Sequence, residues 1–508
     1  MSKRSGSMTL TMLAGTSALV LAAGAHAQDA KLVQGNDAYY LVGEATLQKN
    51  LMLQKNTSRA KNVILMIADG MGLATVTATR ILEGQLRGVD GESNVLSFEA
   101  FPYLAVAKTY SHDGQVSDSA PTATAMTTGV KTRNDVIGLN ASVAVGDCKA
   151  AQTNTVTTIF EMAETAGKST GAVSTARITH ATPAAAYAHT PVRDWESDAD
   201  MPEEAIAEGC IDIARQLVEW PYGDGMEVAL GGGRERFLPA DMADPEDPES
   251  KKNKRKDGKD LTKAWLERYG NGGAYVFDQA GFDAIDPANV THLLGLFENG
   301  HMEFEADRAK DTKGEPSLSE MTAKAIDILA KDPEGYVLMI EGGRIDHAHH
   351  NGNAYRALTD AIEFDKAVKT VLAKVDLNET LIVVTGDHSH SFTISGYPER
   401  GNPILGLAKF GGELLLGKDE KPYTTLGYMN GPGAVTGERP DLREVDTTDP
   451  DYLQQALVPM SSETHAGEDN AIYAIGPWAH LFQGTVEQNY IFHVMNYASN
   501  ITGQLAQN

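Results

Sequence analysis

The stretch NVILMIADGMG, from Asn62 to Gly72, is a continuous apolar run that ends in an aspartate and two glycines. Such runs, without polar alternation, are typical of strands buried on both faces of a parallel sheet. Three more segments share this plan: GAVSTARITHAT (171–182), YVLMIEGGRIDHAHH (336–350) and TLIVVTGDHSH (380–390). The sequence therefore predicts several parallel, fully buried strands.

Helical patterns separate these runs. One apolar stripe runs from Val156 to Ala163 and stops near Gly167, and another runs from Phe364 to Val375. Strands that alternate with helices predict an α/β protein with a large central, mostly parallel β-sheet flanked by helices on both faces.

Side chains with ligand chemistry follow the predicted strands. They are Asp69, His180, Thr182, Glu341, Asp346, Asp387 and His388. Open α/β sheets place their ligands beyond the carboxyl ends of the strands, so we expect these residues along one edge. A single aspartate after a strand is more often a helix cap or a turn residue. The joint pattern favours a functional site.

The residue types indicate metal binding. Asp346 and His350 are four residues apart, within reach of one ion if the segment is helical, and His465 lies far downstream. Carboxylates mixed with neutral imidazoles bind zinc, and three protein ligands with an open position are typical of a catalytic ion. Thr182 and Glu341 offer only oxygen, which suits magnesium better.

At this point the sequence resembles the alkaline phosphatase family, over nearly all of the chain after residue 27. The motifs that carry the resemblance are VSDSAPTAT (116–124), KNVILMIADGMG (61–72), IEGGRIDHAHH (340–350), TGDHSH (385–390) and ETHAGED (463–469). Two other stretches, THATPAAAYAHTPVRDW (179–195) and GPWAHLFQG (476–484), look closer to animal-type enzymes than to the enteric bacterial type.

The resemblance implies a role for each matched position. Ser119 would be the nucleophile and Arg193 would bind phosphate. The implied ligands are Asp346, His350 and His465 for a first zinc; Asp69, Ser119, Asp387 and His388 for a second zinc; and Asp69, Thr182 and Glu341 for magnesium. Residues that would orient ligands or phosphate without binding zinc are Asp118, His180, His347 and His390. Animal-type members also bind calcium, and the positions that correspond are Glu246, Phe297, Glu298 and Glu315.

The implied activity is hydrolysis of small phosphate monoesters, with broad specificity, through a covalent phosphoserine at a site with two zinc ions and one magnesium ion. A phosphodiesterase or a sulfatase of the same superfamily is the nearest alternative. A sulfatase would need an arginine soon after Pro121, where Thr122 and Ala123 stand instead. An exported metal-binding protein without catalysis is another alternative, but metal storage needs neither Ser119 nor Arg193.

Ser119 is open to two interpretations, a helix cap and a nucleophile, and these are compatible. Free N–H groups at the start of a helix bind phosphoryl oxygens. Pro121 stands where the family usually has a small residue, but proline is tolerated in a first helical turn. Asp118 either orients Arg193 or caps the helix, and the alternative for Arg193 is a surface ion pair.

Residues 1–27 predict a signal peptide. Two basic residues precede a mostly apolar run (8–23), and AHA (25–27) is a small-x-small cleavage site. The alternative, a membrane anchor, is disfavoured because the run is short and contains polar residues. The end of the chain lacks the apolar tail of a GPI signal. We therefore expect residues 28–508 to be a soluble catalytic domain, in the periplasm or secreted, without a membrane anchor.

Export would place Cys148 and Cys210 in an oxidising compartment, which predicts a disulfide, with two buried free thiols as the alternative. The net charge of −26 would repel nucleic acid and anionic lipid. A phosphate site must then supply its own local positive charge. Acidic surfaces are also typical of proteins that stay soluble at high salt, which suggests a halophilic or halotolerant bacterium as the source.

Residues 391–460 predict an insertion, because this segment is rich in glycine and proline and lacks helical periodicity. It resembles the crown region that family members place at a dimer interface, so the resemblance implies a homodimer. The segment from Asp37 to Leu53 predicts an amphipathic helix before the first strand. It would contact a partner subunit or, as an equally good alternative, a local core.

Overall fold

The computed structural model describes residues 32–249 and 252–505. The predicted signal peptide, 1–27, lies outside the described residues. Residues up to Gln54 and residues from Lys55 onward form two separate units.

The first unit contains helix α1 (Ala38–Leu51), which begins where the Asp37 carboxylate accepts hydrogen bonds from two backbone N–H groups. No residue of α1 is buried, and its apolar side chains lie on all sides of the helix. The predicted helix is confirmed and its amphipathic pattern is wrong, whereas its contact with a partner subunit or a local core stays a prediction.

The strands are β1 (Asn62–Ala68), β2 (Tyr103–Lys108), β3 (Ser169–Arg177), β4 (Val228–Gly232), β5 (Gly273–Val276), β6 (His292–Leu296), β7 (Tyr336–Gly342), β8 (Thr380–Gly386), β9 (Ser389–His390), β10 (Phe392–Ile394), β11 (Lys409–Phe410), β12 (Glu413–Leu414), β13 (Leu426–Gly431), β14 (Ala456–Pro459), β15 (His465–Ala466), β16 (Asn470–Ile475) and β17 (Gly484–Glu487).

The remaining helices are α2 (Leu73–Leu86), α3 (Ser119–Thr128), α4 (Cys148–Ala151), α5 (Ile159–Thr165), α6 (Ala181–Ala184), α7 (Glu203–Ala207), α8 (Ile213–Val218), α9 (Leu261–Tyr269), α10 (Gln279–Ala284), α11 (Leu318–Leu329), α12 (Arg344–His350), α13 (Ala354–Lys374), α14 (Tyr490–Ser499) and α15 (Ile501–Leu505). Among the described residues, none of the helices is long and apolar enough to cross a membrane.

A ten-stranded sheet organises residues 55–505, in the order β17-β2-β16-β8-β1-β7-β3-β4-β6-β5. Only β16 runs antiparallel to its neighbours, β2 and β8, and the other neighbouring strands pair in parallel. The predicted mostly parallel sheet is confirmed. The four quoted strand segments become β1, β3, β7 and β8, which lie side by side near the centre of the sheet.

Strand β1 shows how both faces are covered. Every residue of β1 is buried, because alternate side chains enter two different cores. Val63, Leu65 and Ile67 belong to the core under α3, α5 and α14. Ile64 and Met66 belong to the core under α11 and α13. Helices therefore cover both faces, as the sequence predicts.

Residues 391–460 form a small structure beside the main sheet. Strands β10, β13 and β14 make a three-stranded sheet and β11 pairs with β12, with no helix in the segment. This agrees with the lack of helical periodicity. A role at a dimer interface stays a prediction.

Candidate active site and metal centre

Four neighbouring strands deliver polar side chains to one edge of the sheet. Asp69 follows β1, Asp387 follows β8, Glu341 lies near the end of β7, and Thr182 lies in α6 after β3. All four side chains are buried. Because β8, β1, β7 and β3 are adjacent and parallel, their carboxyl ends bring together residues far apart in sequence.

Asp346, His350 and His465 face one point. The two histidine Nε2 atoms are 3.0 Å apart, and Asp346 Oδ1 lies 3.5 Å from that of His350 and 3.2 Å from that of His465. His350 Nδ1 donates to the Glu463 carbonyl at 2.6 Å, and His465 Nδ1 donates to the Ser117 carbonyl at 2.8 Å. With Nδ1 as the donor, each ring in its neutral form turns an Nε2 lone pair toward the Asp346 carboxylate, an arrangement that a cation stabilises. This donor set fits zinc.

A second donor set surrounds Ser119. The Ser119 hydroxyl lies 3.4 Å from each Asp69 carboxylate oxygen and 3.2 Å from His388 Nε2. That nitrogen is 3.4 Å from Asp69 Oδ1 and 3.3 Å from Asp387 Oδ2. Burial and the neighbouring carboxylates, Asp387 first, raise the pKa of Asp69 well above its usual range. Crowded, buried carboxylates of this kind fit a divalent cation.

The predicted magnesium ligands form a third set. Thr182 Oγ1 lies 3.5 Å from Asp69 Oδ2, and donor atoms of Asp69, His180 and Glu341 lie within 4.8 Å of one another. Glu341 accepts a hydrogen bond from Ser174 through one oxygen, whereas its buried Oε1 has no hydrogen-bond partner. Burial raises the pKa of Glu341 to about 7. A buried oxygen without a partner beside a second carboxylate also fits a cation.

Ser119 is the first residue of α3 and is buried. The Asp118 carboxylate caps the helix by accepting a hydrogen bond from the Ala120 N–H at 2.7 Å. Pro121 lies in the first turn, where its missing N–H removes no helical hydrogen bond. The hydroxyl of Thr122, also in this turn, donates to Asp387 Oδ2 at 3.1 Å and ties the helix to the metal-binding edge.

Arg193 lies beside the start of α3. Its guanidinium donates to Asp118 Oδ1 at 3.0 Å and to His180 Nε2 at 2.9 Å. Because that nitrogen accepts, the His180 ring is neutral with its proton on Nδ1. Asp118 therefore makes both contacts that the sequence left as alternatives, since it caps α3 and holds Arg193. The guanidinium supplies local positive charge within an acidic protein.

Comparison with known proteins decides the family. The alkaline phosphatase family model matches residues 60–501. The chain belongs to the alkaline phosphatase family. The alkaline phosphatase of Gadus morhua is 47% identical over 464 residues, which cover 90% of this chain and 96% of that relative. The tissue-nonspecific isozyme of Homo sapiens is 46% identical over 470 residues, which cover 91% and 88%.

Solved structures of the family share the fold. The Thermus thermophilus alkaline phosphatase has a TM-score of 0.63 and 25% identity, and the match covers 88% of this chain and 93% of that one. The alkaline phosphatase of the Antarctic bacterium TAB5 has a TM-score of 0.59 and 24% identity, with 87% and 99% covered. These findings support alkaline phosphatase activity and the use of divalent metal ions by this chain.

In this alkaline phosphatase, His390 bridges two carboxylates. Its Nε2 donates to Asp346 Oδ1 at 2.8 Å and its Nδ1 donates to Glu463 Oε2 at 2.5 Å. Burial opposes a charge on the ring, but these hydrogen bonds outweigh it and raise the pKa of His390 to about 9. Glu463 also accepts from the backbone and the hydroxyl of Ser391, so its position is fixed. His390 therefore contacts the predicted zinc ligand Asp346, and its orienting role stays a prediction.

Sequence reasoning missed several contributors to the site of this alkaline phosphatase: Glu463, Ser174, Thr122 and His301. Glu463 stands two residues before His465 in a quoted motif, a signal that was available. His301 had no such signal. Its ring packs 4.0 Å from that of His347, and both rings approach His180 at 5.4 Å. Arg193, which donates to His180, therefore contacts one member of a cluster of three histidine rings.

Two of the four residues predicted to bind calcium, Glu246 and Glu298, lie close together. Donor atoms of Glu246 and Glu298 come within 4.8 Å, together with Asp311, which the sequence did not predict. The buried Oε2 of Glu315 has no hydrogen-bond partner, and burial, with the charge of Glu298, raises the pKa of Glu315 to about 9. Phe297 is fully buried. Glu246 is already paired with the buried Arg234.

The disulfide prediction is confirmed. Cys148 and Cys210 are bonded, with their Cα atoms 5.8 Å apart, and the free-thiol alternative is wrong. Cys148 begins α4, and the bond joins it to the turn after α7. The linkage braces the region around residue 195, because Trp195 packs against Cys148 in one small core.

Proposed function

We propose that the chain is an exported alkaline phosphatase that hydrolyses a broad range of phosphate monoesters through a covalent phosphoserine at Ser119, with two zinc ions and one magnesium ion. The observation that carries the proposal is the placement of Ser119. Its hydroxyl lies between the Asp69 carboxylate and His388 Nε2 at the start of α3. The preceding residue, Asp118, holds Arg193.

Three sets of side chains would hold the metal ions. They are Asp346, His350 and His465 for one zinc; Asp69, Asp387 and His388, with Ser119, for the other zinc; and Asp69, Thr182 and Glu341 for magnesium. When bound, the divalent cations lower the pKa of the serine hydroxyl and offset negative charge on the entering and leaving oxygens. The buried carboxylates that crowd this edge support the presence of cations.

The side chains of this chain act as follows. The oxygen of Ser119, after losing its proton to solvent, attacks phosphorus, so that an O–P bond forms while the bond from phosphorus to the alcohol oxygen breaks and that oxygen takes a proton from solvent. Water then attacks the phosphoserine, which releases inorganic phosphate and restores the serine. Arg193 and the backbone N–H of Ser119, the first residue of α3, bind the phosphoryl oxygens throughout. Because these contacts hold phosphate and not the alcohol, broad monoester specificity follows.

The test compares hydrolysis of a phosphate monoester, a phosphate diester and a sulfate ester by the purified protein. We expect the monoester to be preferred strongly, whereas preference for either other ester would favour the alternative enzymes of the superfamily. Acid quenching during turnover of ³²P-labelled monoester should trap label on the wild type and none on Ser119→Ala. Label on that variant would remove Ser119 from the mechanism.

Metal analysis tests the cofactors. A chelator should abolish activity, and zinc with magnesium should restore it. His350→Ala should lower the zinc content and the activity together, whereas the exposed His112 offers a matched control, His112→Ala. Activity that is indifferent to chelation would exclude the metal assignments.

Localisation and assembly are separate parts of the proposal. The Cys148–Cys210 bond supports an oxidising compartment, either the periplasm or the medium. Residues 1–27 should be missing from the exported protein, which N-terminal sequencing checks. Apolar side chains exposed on the 391–460 segment, such as Met429 and Leu457, support a homodimer. Light scattering of the intact protein gives its mass directly, and a monomer at all concentrations would contradict this.

The proposal also includes a calcium site. Glu246, Glu298 and Glu315 would supply its carboxylate oxygens, with the backbone carbonyl of Phe297. The unpartnered oxygen of the buried Glu315 supports this site. Calcium should raise the melting temperature of the wild type and not that of Glu315→Gln. An equal rise in both proteins would leave the site without support.

A further inference from the structure

A second group of ligand-type side chains lies at the opposite, amino-terminal edge of the sheet. Glu164 is near the end of α5, Glu227 directly precedes β4, and His292 is the first residue of β6. Their side chains are buried, with 4%, 9% and 4% exposed, respectively. Asp224, which is exposed and lies in the loop between α8 and β4, is the fourth member of the group.

The carboxylates of this group are packed together. Thr170 joins two of them, since its hydroxyl donates to Glu164 Oε1 at 2.6 Å and its N–H donates to Glu227 Oε2 at 2.7 Å. Burial, then the charge of Glu227, raises the pKa of Glu164 to about 10. The loop backbone also closes over Glu164, because a Cβ at Gly223 would lie 2.1 Å from its Oε2.

Hydrogen bonding to Thr291 orients the His292 ring. When the Thr291 hydroxyl donates to the Gly272 carbonyl at 3.1 Å, its oxygen accepts from His292 Nδ1 at 3.0 Å. The neutral ring, held flat against Tyr269 with 3.7 Å between centroids, then has its lone pair on Nε2. This buried nitrogen has no hydrogen-bond partner within hydrogen-bonding distance, and it lies 4.0 Å from the Asp224 carboxylate.

A lone pair that faces a carboxylate oxygen is unfavourable, and a cation bound between the two atoms removes the repulsion. The nearby Arg268 does not supply that charge by pairing, because its guanidinium donates to the backbone carbonyls of Val218 and Trp220 at 2.7 and 2.6 Å. One donor atom each from Asp224, Glu227 and His292 lies within 4.8 Å of the others. That spacing suits three ligands of one ion.

We propose that Asp224, Glu227 and His292 bind a further divalent transition-metal ion, with Glu164 as a neighbouring carboxylate. The imidazole favours zinc over calcium or magnesium, which prefer ligand sets made only of oxygen. The ion ties the loop before β4 to the first residue of β6. The site is distinct from the catalytic one. Thr170, which contacts Glu164 and Glu227, and Ser174, which contacts Glu341, lie roughly 13 Å apart along β3. The proposal does not rest on the proposed function.

The test uses the intact protein saturated with zinc and then dialysed. Mass spectrometry should count one zinc fewer per subunit in His292→Phe and in Glu227→Gln than in the wild type. Phenylalanine keeps the ring contact with Tyr269, and glutamine keeps an oxygen for the Thr170 N–H. The control His112→Phe removes an exposed histidine and should keep the wild-type count. Both test variants should retain the wild-type rate of monoester hydrolysis.

Anomalous diffraction at the zinc edge supplies a second readout, with a peak expected within bonding distance of His292 Nε2. The absence of that peak, or wild-type zinc counts in both folded variants, overturns the proposal. A variant that loses activity together with its zinc places the lost ion in the catalytic centre and also overturns it. If the wild type hydrolyses no monoester but the difference of one zinc persists, the proposed function fails and this site stands.

Discussion

Asp118 and Arg193 form an ion pair of 3.0 Å at the start of α3, although the same carboxylate also caps that helix. One side chain thus couples the position of the nucleophile to that of the phosphate-binding guanidinium. His180 completes the support, because its Nε2 accepts from the other guanidinium nitrogen at 2.9 Å. The arginine is therefore oriented before phosphate arrives.

Neutralising Asp118 should weaken phosphate binding without unfolding α3. Asp118→Asn keeps an oxygen for the Ala120 N–H but loses the charge that holds Arg193, so we expect the inhibition constant of inorganic phosphate to rise roughly 3- to 10-fold. The exposed Asp194 provides the matched control, because Asp194→Asn removes a charge next to Arg193 in the chain. Equal effects of the two variants would show that only the local charge matters.

Removing the charge of Glu463 should loosen the metal site that it supports. Glu463→Gln takes an acceptor from His390, which positions Asp346, and outer hydrogen bonds of this kind are worth about 10- to 100-fold in metal affinity. Zinc retention against a competing chelator measures the effect. The exposed Glu444 gives a control, Glu444→Gln, that should retain zinc as the wild type does. Unchanged retention in Glu463→Gln would mean that Asp346 needs no such support.

Stability should depend on the pH through Lys168. Burial, helped by the charge of Arg59, lowers the pKa of Lys168 to about 8 from 10.5. Below pH 8 both states carry the charge, so the folded state bears the full cost of burying it. Between pH 8 and 10.5 the unfolded state binds more protons, so the free energy of unfolding gains from this residue as the pH rises.

We expect this gain to be no more than about 2 kcal/mol, because the buried ammonium group donates to the Lys61 and Glu334 carbonyls, which stabilise its charged form. Melting temperatures of the wild type and Lys168→Met across pH 7 to 10.5 check it. The wild type should lose less stability than the variant as the pH rises through this window. Parallel curves for the two proteins would contradict the assignment.

Breaking the Cys148–Cys210 bond should destabilise the fold without touching the catalytic edge. The 62-residue separation predicts a loss of about 4 kcal/mol from the unfolded-state entropy. Urea unfolding of the wild type and of Cys148→Ser with Cys210→Ser measures it, and monoester hydrolysis in the absence of urea should be kept. If the doubly substituted protein unfolds at the same urea concentration as the wild type, the disulfide is not a stabilising element.

The sequence by itself determined much of this protein. Continuous apolar runs predicted β1, β3, β7 and β8, because burial on both faces leaves a local mark on the sequence. The motifs also identified Ser119 as the residue at the start of a helix. The amphipathic pattern predicted before β1 was wrong, because apolar residues in a short segment do not by themselves define a face.

Only the tertiary structure decided which side chains meet. Glu463 reaches His390 because β15 pairs with β9, and Glu164 reaches Glu227 because β3 and β4 lie side by side. Hydrogen-bond partners depend on strand order and register, and these are settled by packing across the whole sheet rather than by local periodicity. The strands could therefore be predicted from the sequence, whereas the double role of Asp118 as cap and ion-pair partner and the group around His292 could not.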